Sequence, residues 1–237
     1  MRNSIIYGGI SSNEFGVYVS QKSVHTTPAQ QFDVQTIPGR NGSLLMKRNR
    51  YPDVEMVLSF IFADEFRNLY KQFANKILAL SGYQRFEYSE DGDAYYMAYI
   101  ENAIEPTATP DGKMGKFEIT FIRKPERYLY AGERKTVFTE SGSINNPTEF
   151  ESKPLLRVYG AGNLYIGNDT ITITQADGYT DIDCDIMEAY KDSAAYPKNQ
   201  YIELSGIDYP TLKPGRNNIS WGTGITGVDI IPRWWML

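Results

Sequence analysis

One cysteine and one histidine in 237 residues limit the chemistry available to this chain. Cys184 has no partner, so no intrachain disulfide can form. His25 lies in the polar stretch QKSVHTTPAQQ and reads as an exposed loop residue. A lone histidine rules out a multi-histidine metal site, and it is a general base only beside a positioned partner. A Cys–His pair would have to join Cys184 to His25 across the two halves of the chain. No glycine-rich phosphate motif stands between a strand and a helix; GRNG at 39–42 and SWGTGITG at 220–227 read as turns. No apolar run approaches the roughly 20 residues of a membrane span. The opening MRNSIIYGGISSNEFG lacks the apolar segment of a signal peptide, so the expectation is synthesis and folding in a reducing cytoplasm, without membrane insertion.

Excess positive charge is also missing. Residues 1–130 hold 15 Lys+Arg against 15 Asp+Glu, whereas residues 131–237 hold 9 against 14. All of the net charge of −5 therefore lies in the second half. Capture of nucleic acid by counterion release needs clustered positive charge, so that function class is disfavoured. The only basic concentration is Lys47, Arg48 and Arg50 with Arg40 upstream, which reads as a solvated loop or an intersubunit salt-bridge patch.

What the sequence has in abundance is aromatic side chains: 18 Tyr, 11 Phe and 3 Trp. Flat side chains suit a pleated, half-buried surface, so the composition favours strands. In DVEMVLSFIF, residues 53–62, Val54, Met56, Leu58, Phe60 and Phe62 share one face at period two. The period then changes. Phe66, Leu69, Tyr70, Phe73, Ile77 and Leu80 recur at three- and four-residue steps, which predicts one helix over 64–81 with Asp64 as N-cap and Gly82 beyond its end. Asp91-Gly92 predicts a hairpin between Tyr-rich strands. In KFEITFIR, Phe117, Ile119 and Phe121 face one way. Residues 133–153 are polar and read as a linker or crossover, with TVF as a short strand within it. Beyond them come short strands separated by Gly, Asn, Asp or Pro, the pattern of a β-sandwich of jelly-roll type.

Three features of the second half invite a chemical reading. Cys184 alternates with Ile182 and Ile186, which places it on an apolar face as a structural thiol. Asp181, Asp183 and Asp185 fall on the opposite face, read as a solvated surface in preference to a calcium site, because the Ca²⁺-loop spacing is absent. Trp221, Trp234 and Trp235 could stack on sugar rings in a lectin-like module that contacts the host cell wall, or fill a core or an interface. No nucleophile, base or carboxylate pair is marked by a motif, so the expectation is a protein that assembles and binds, with no enzyme activity, no cofactor and no metal.

Several segments in one order carry a resemblance. They are TIPGRNG, RYPDVEMVLSFIF, the helix, RFEYSEDGDAYYMAYIEN, GKFEITFIRKPERYLY, PLLRVYGAGNLYIGNDTITI and LKPGRNNISWGTGITGVDIIPRWW. Together they resemble the distal tail (Dit) proteins of long-tailed, non-contractile bacteriophages and prophages. The resemblance implies a mainly β chain in two parts. Residues 1–132 would be a ring-forming N-terminal domain, a β-sandwich or split barrel with one α-helix and a belt-like loop. Residues 133–153 would be the linker, and residues 154–237 a galectin-like β-sandwich that projects outward. It further implies a hexameric ring at the virion tail tip that joins the tail-tube protein to the tail-tip protein, can carry a receptor-binding protein and lets DNA pass transiently. Pro38, Gly39, Arg40, Asn41 and Gly42, within a belt at about 21–42, would lie near ring contacts. The sequence independently asks for such contacts: residues 21–42 are unusually long for a free loop, and a partner-bound segment removes the difficulty.

Overall fold

The computed structural model describes residues 3–20, 26–48, 50–63, 67–108 and 113–237. The chain divides into two compact units, Met1–Arg127 with Leu237, and Tyr128–Met236.

The first unit is built on one antiparallel sheet. Its strands run in the order Ile10–Ser11, Ile5–Tyr7, Gln84–Tyr88, Ala94–Ile100, Met114–Arg123, Val54–Ala63 and Val17–Val19. The two end strands are only a few residues apart in sequence, joined by the short turn Ser12–Phe15 and Gly16. A connection that short forces the sheet to curl until its ends approach. Asn3 bridges Val19, and the Val19 N–H donates to the Asn3 carbonyl at 2.9 Å, so the sheet nearly closes into a split barrel.

The period-two pattern explains the interior. Val54, Leu58, Phe60 and Phe62 are buried from one long strand, and Phe117, Ile119 and Phe121 from its partner. The two strands pair over ten residues, from Met114↔Ala63 to Arg123↔Val54. Phe60 stacks on Phe117 with ring centres 5.1 Å apart. The helix, Arg67–Leu78, buries Tyr70, Phe73, Ala74 and Ile77, the three-and-four spacing expected of one apolar stripe. Phe66 and the Asp64 cap lie outside the described residues. Tyr70 stacks on Phe62 at 4.5 Å. Room for the Phe62 ring comes from Gly115, its cross-strand partner, where a methyl group would overlap the ring.

The predicted hairpin forms between Gln84–Tyr88 and Ala94–Ile100. Its Asp91 is more than a turn residue, because it is buried. The Tyr96 hydroxyl donates to it at 2.6 Å, and Arg127 Nε donates at 2.9 Å. Burial opposes the charge on Asp91, but Arg127 and Tyr96 outweigh it and hold the carboxyl below its usual range.

The second unit is a β-sandwich. One sheet runs Thr136–Phe138, Ile225–Ile231, Leu155–Gly160, Tyr179–Asp183, Glu188–Lys191 and Ser193–Pro197. The other runs Gly142–Asn146, Gly215–Trp221, Gly162–Ile166, Asp169–Ile173 and Ile202–Leu204. Leu156, Val158, Leu164, Ile166, Ile171, Ile182, Ile219, Val228 and Ile230 fill the space between. This core is aliphatic, with Trp234 its one fully buried aromatic among the described residues, whereas the aromatic core belongs to the first unit.

Within residues 133–153 the short TVF strand forms as Thr136–Phe138 and pairs with Ile225–Ile231, and a second strand, Gly142–Asn146, which the linker expectation lacked, pairs with Gly215–Trp221. Each is an end strand of its sheet, so much of its surface meets water and its composition is polar. The unit boundary falls at Arg127/Tyr128, ahead of the expected 132/133.

Candidate interaction surface

The segment around residues 26–50 leaves the barrel sheet. Phe32–Thr36 and Ser43–Lys47 form a two-stranded antiparallel hairpin that, among the described residues, pairs with no other strand. The turn between them is Ile37–Gly42. Gly39 and Gly42 take φ of +79° and +81°, a backbone region that a Cβ disfavours, and the Arg40 N–H donates to the Ile37 carbonyl at 3.2 Å. Pro38, Gly39, Arg40, Asn41 and Gly42 are therefore the exposed tip of an arm. At its base Arg48 grips Asp33 with two contacts, 2.8 and 2.7 Å, which holds the Asp33 carboxyl below its usual range. Both groups are exposed, so this pair sets geometry more than stability.

The register assigns the arm's faces. Phe32, Val34 and Leu45 lie on one face, because Phe32 opposes Lys47 and Val34 opposes Leu45. Leu44 and Met46 lie on the other. All are exposed, Val34 by 65% and Leu45 by 59%, and Ile37 adds to them beside the tip. An isolated two-stranded hairpin is marginal in water, and a cluster of exposed apolar side chains marks an interaction site. The sequence reading found the turn but not these flanking residues. FDVQT and SLLMK around PGRNG are the hairpin signal that could have found them. Arg40, Lys47 and Arg50 from the basic concentration also lie exposed on or beside the arm.

The remaining candidates separate. His25 lies outside the described residues. Cys184 is buried, and desolvation pushes its thiol up to about 12, which leaves it protonated and inert. Ile186 does not share its face; the strand ends at Asp183, the chain turns, and Ile186 is exposed. The three aspartates do not form one solvated face either. Asp181 is buried under Arg157, with contacts of 2.6 and 2.9 Å. Asp183 is buried under Arg233, with contacts of 2.6 and 2.7 Å. Asp185 alone is exposed. Trp234 is in the core. Trp221 shares the inward face with Ile219 and packs against that core. Trp235 stacks on Phe150 at 4.5 Å and donates its indole N–H to the Glu151 carbonyl at 2.9 Å. The three rings thus occupy different structural settings and make no common platform.

No family model matches the chain, and no curated protein does. Solved structures match over its whole length. The crystal structure of the SPP1 Dit protein, described as a paradigm of the hub adsorption apparatus in phages that infect Gram-positive bacteria, aligns over 100% of both chains with a TM-score of 0.72 and 16% identity. The chain has the Dit fold. A chain of the phage P2 baseplate, in its activated conformation with Ca, aligns over 97% of both chains with a TM-score of 0.53 and 13% identity. The same baseplate with Sr aligns over 96% of this chain and 97% of the other, with a TM-score of 0.52 and 12% identity.

Proposed function

We propose that this protein is a structural hub of a phage tail tip. Its first unit assembles with further copies into a closed, hexameric ring at the end of the tail. The observation that carries this reading is the arm: five apolar side chains held out on both faces of a hairpin that, among the described residues, pairs with no other strand. A second copy that takes up this arm covers both faces. A contact that repeats head to tail and closes gives a ring. The tip residues Pro38, Gly39, Arg40, Asn41 and Gly42 then sit at or near the subunit contact. The Dit fold supports the reading, because the matched structures are described as a hub and a baseplate.

In this reading the ring joins the tail-tube protein to the tail-tip protein and can carry a receptor-binding protein. DNA passes through its lumen only transiently, to which a first half without net charge is suited. The protein is made in the bacterial host's cytoplasm and ends in the virion. The reading assigns no catalytic residue: the buried thiol is protonated, and Asp181 and Asp183 are held by arginines.

Light scattering and negative-stain electron microscopy test the proposal, on the full chain alone and with the tail-tube and tail-tip proteins. A closed ring is expected. A strict monomer that also binds neither neighbour would overturn it.

A further inference from the structure

The outward face of the six-stranded sheet in the second unit carries a row of polar side chains that lies outside the unit's apolar core. The register aligns Asp229 with Arg157, Arg157 with Asp181 and Asp181 with Tyr190, one residue from each of four neighbouring strands. With strands about 4.8 Å apart, the row spans roughly 15 Å. Leu156 and Val158, the neighbours of Arg157, point the other way into the core, so Arg157 points outward. Above the row lies a cavity of about 280 Å³ lined by these four residues together with Lys135 and Asp192. Every lining residue belongs to the second unit.

The row is held in place. Arg157 is fixed by its two bonds to Asp181 and lies over the Tyr179 ring at 4.3 Å. Asp181 also accepts from the Asp192 N–H at 3.2 Å. Asp229 accepts from Lys135 at 2.9 Å and from the Tyr159 hydroxyl at 3.0 Å, both on Oδ2. Among the described residues, three polar atoms of the lining residues have no hydrogen-bond partner: Asp229 Oδ1, an acceptor, Arg157 Nη1, a donor, and the Tyr190 hydroxyl, which can be either. Burial raises the Tyr190 hydroxyl above its usual value, so it keeps its proton at neutral pH. Leu155 and Ile231 pair in the adjacent row and line the same cavity, adding an apolar strip beside the polar one.

This inventory selects among ligands. Asp181, Asp192 and Asp229 outnumber Lys135 and Arg157, which disfavours an anion. Asp181 commits both oxygens to Arg157, so it is not available to a cation. A purely apolar ligand would strand the charged groups. A neutral ring with adjacent hydroxyls, each able to donate and accept, matches the unused donors and acceptors, and its C–H face matches the apolar strip. The volume lies just under the lower end of the range for small-molecule sites, about 300 Å³, and suits one such ring. We propose that this cavity binds a single neutral sugar residue, through Asp229, Arg157 and Tyr190.

The test is saturation-transfer NMR on the full chain with the methyl glycosides of glucose, galactose, mannose and N-acetylglucosamine. At least one is expected to bind saturably. Tyr190→Phe should weaken that binding about tenfold, the loss of one well-placed hydrogen bond. Asp229→Asn should weaken it at least as much, while Trp235→Phe leaves it unchanged. Tyr190→Phe removes only the hydroxyl and keeps the test decisive if Asp229→Asn disturbs folding. No saturable transfer from any of the four, equal binding by the Tyr190→Phe and parent chains, or displacement of the glycoside by inorganic phosphate would each overturn the proposal.

Discussion

Replacing Arg233 by Ala should destabilise the second unit strongly at neutral pH and much less in acid. Asp183 is buried, and Arg233 holds it through two contacts of 2.6 and 2.7 Å. The Asp185 N–H adds a bond at 3.0 Å and the Ile186 N–H a longer one at 3.5 Å, both to Oδ1. Removing the guanidinium leaves a buried carboxylate with these two backbone donors alone. Breaking a buried pair in this way costs about 3–5 kcal/mol. Arg233 itself keeps about a third of its side-chain surface exposed, and water can partly replace it, so the lower end, about 3 kcal/mol, is expected. Burial opposes the charge on Asp183, and Arg233 outweighs it, so the folded carboxyl lies below its ordinary value. A depressed folded value stabilises the fold above the unfolded value of about 3.9. That contribution is lost as the pH falls through the lower folded value. In the variant the buried carboxyl takes up a proton more readily, so acid relieves the defect. The difference between parent and variant should therefore shrink from about 3 kcal/mol at pH 7 to about 1 kcal/mol near pH 3. All three tryptophans lie in the second unit, so tryptophan fluorescence during urea unfolding reads that unit selectively. A loss below 1 kcal/mol at pH 7, or a loss that stays constant with pH, would refute the reasoning.

Three other outcomes follow from particular contacts. Gly115→Ala should destabilise the first unit by about 1–3 kcal/mol, because the added methyl meets the Phe62 ring that stacks on Tyr70; hydrogen exchange of the Met114–Arg123 amides reads it, and unchanged protection would contradict it. The double change Val34→Asp and Leu45→Asp should shift unfolding by less than about 0.5 kcal/mol per site, since both side chains are exposed, yet abolish ring assembly in sedimentation and microscopy. Cys184 should resist a thiol-specific disulfide reagent at pH 8 in the native protein and react fully in urea, because desolvation holds its thiol near 12 only in the folded state. Prompt reaction of the native protein would show that this strand end is open.

Local periodicity was enough for the elements whose burial repeats with their geometry. Val54 to Phe62 alternate because one side of a strand faces the barrel interior, and Tyr70, Phe73 and Ile77 recur because one stripe of the helix does. Counting alone determined that one thiol and one imidazole leave little nucleophilic chemistry, and the turn at Pro38–Gly42 was legible from its glycines. Tertiary structure decided whatever depends on a partner distant in sequence. Asp181, Asp183 and Asp185 look alike on one strand face, but Arg157 from a neighbouring strand and Arg233 from the segment after Ile231 cover the first two and leave the third in water. Residues 133–153 read as a linker holding only the short TVF strand because the end strands of a sandwich are polar, and the strand Gly142–Asn146 emerges only from its pairing with Gly215–Trp221. The stretch that flanks the turn at 38–42 read as part of a long loop, and only the register shows it as a two-stranded arm that, among the described residues, pairs with no strand of the first unit's sheet. A sequence pattern records which side of an element avoids water, whereas the identity of what covers that side is set by long-range pairing that no local window contains.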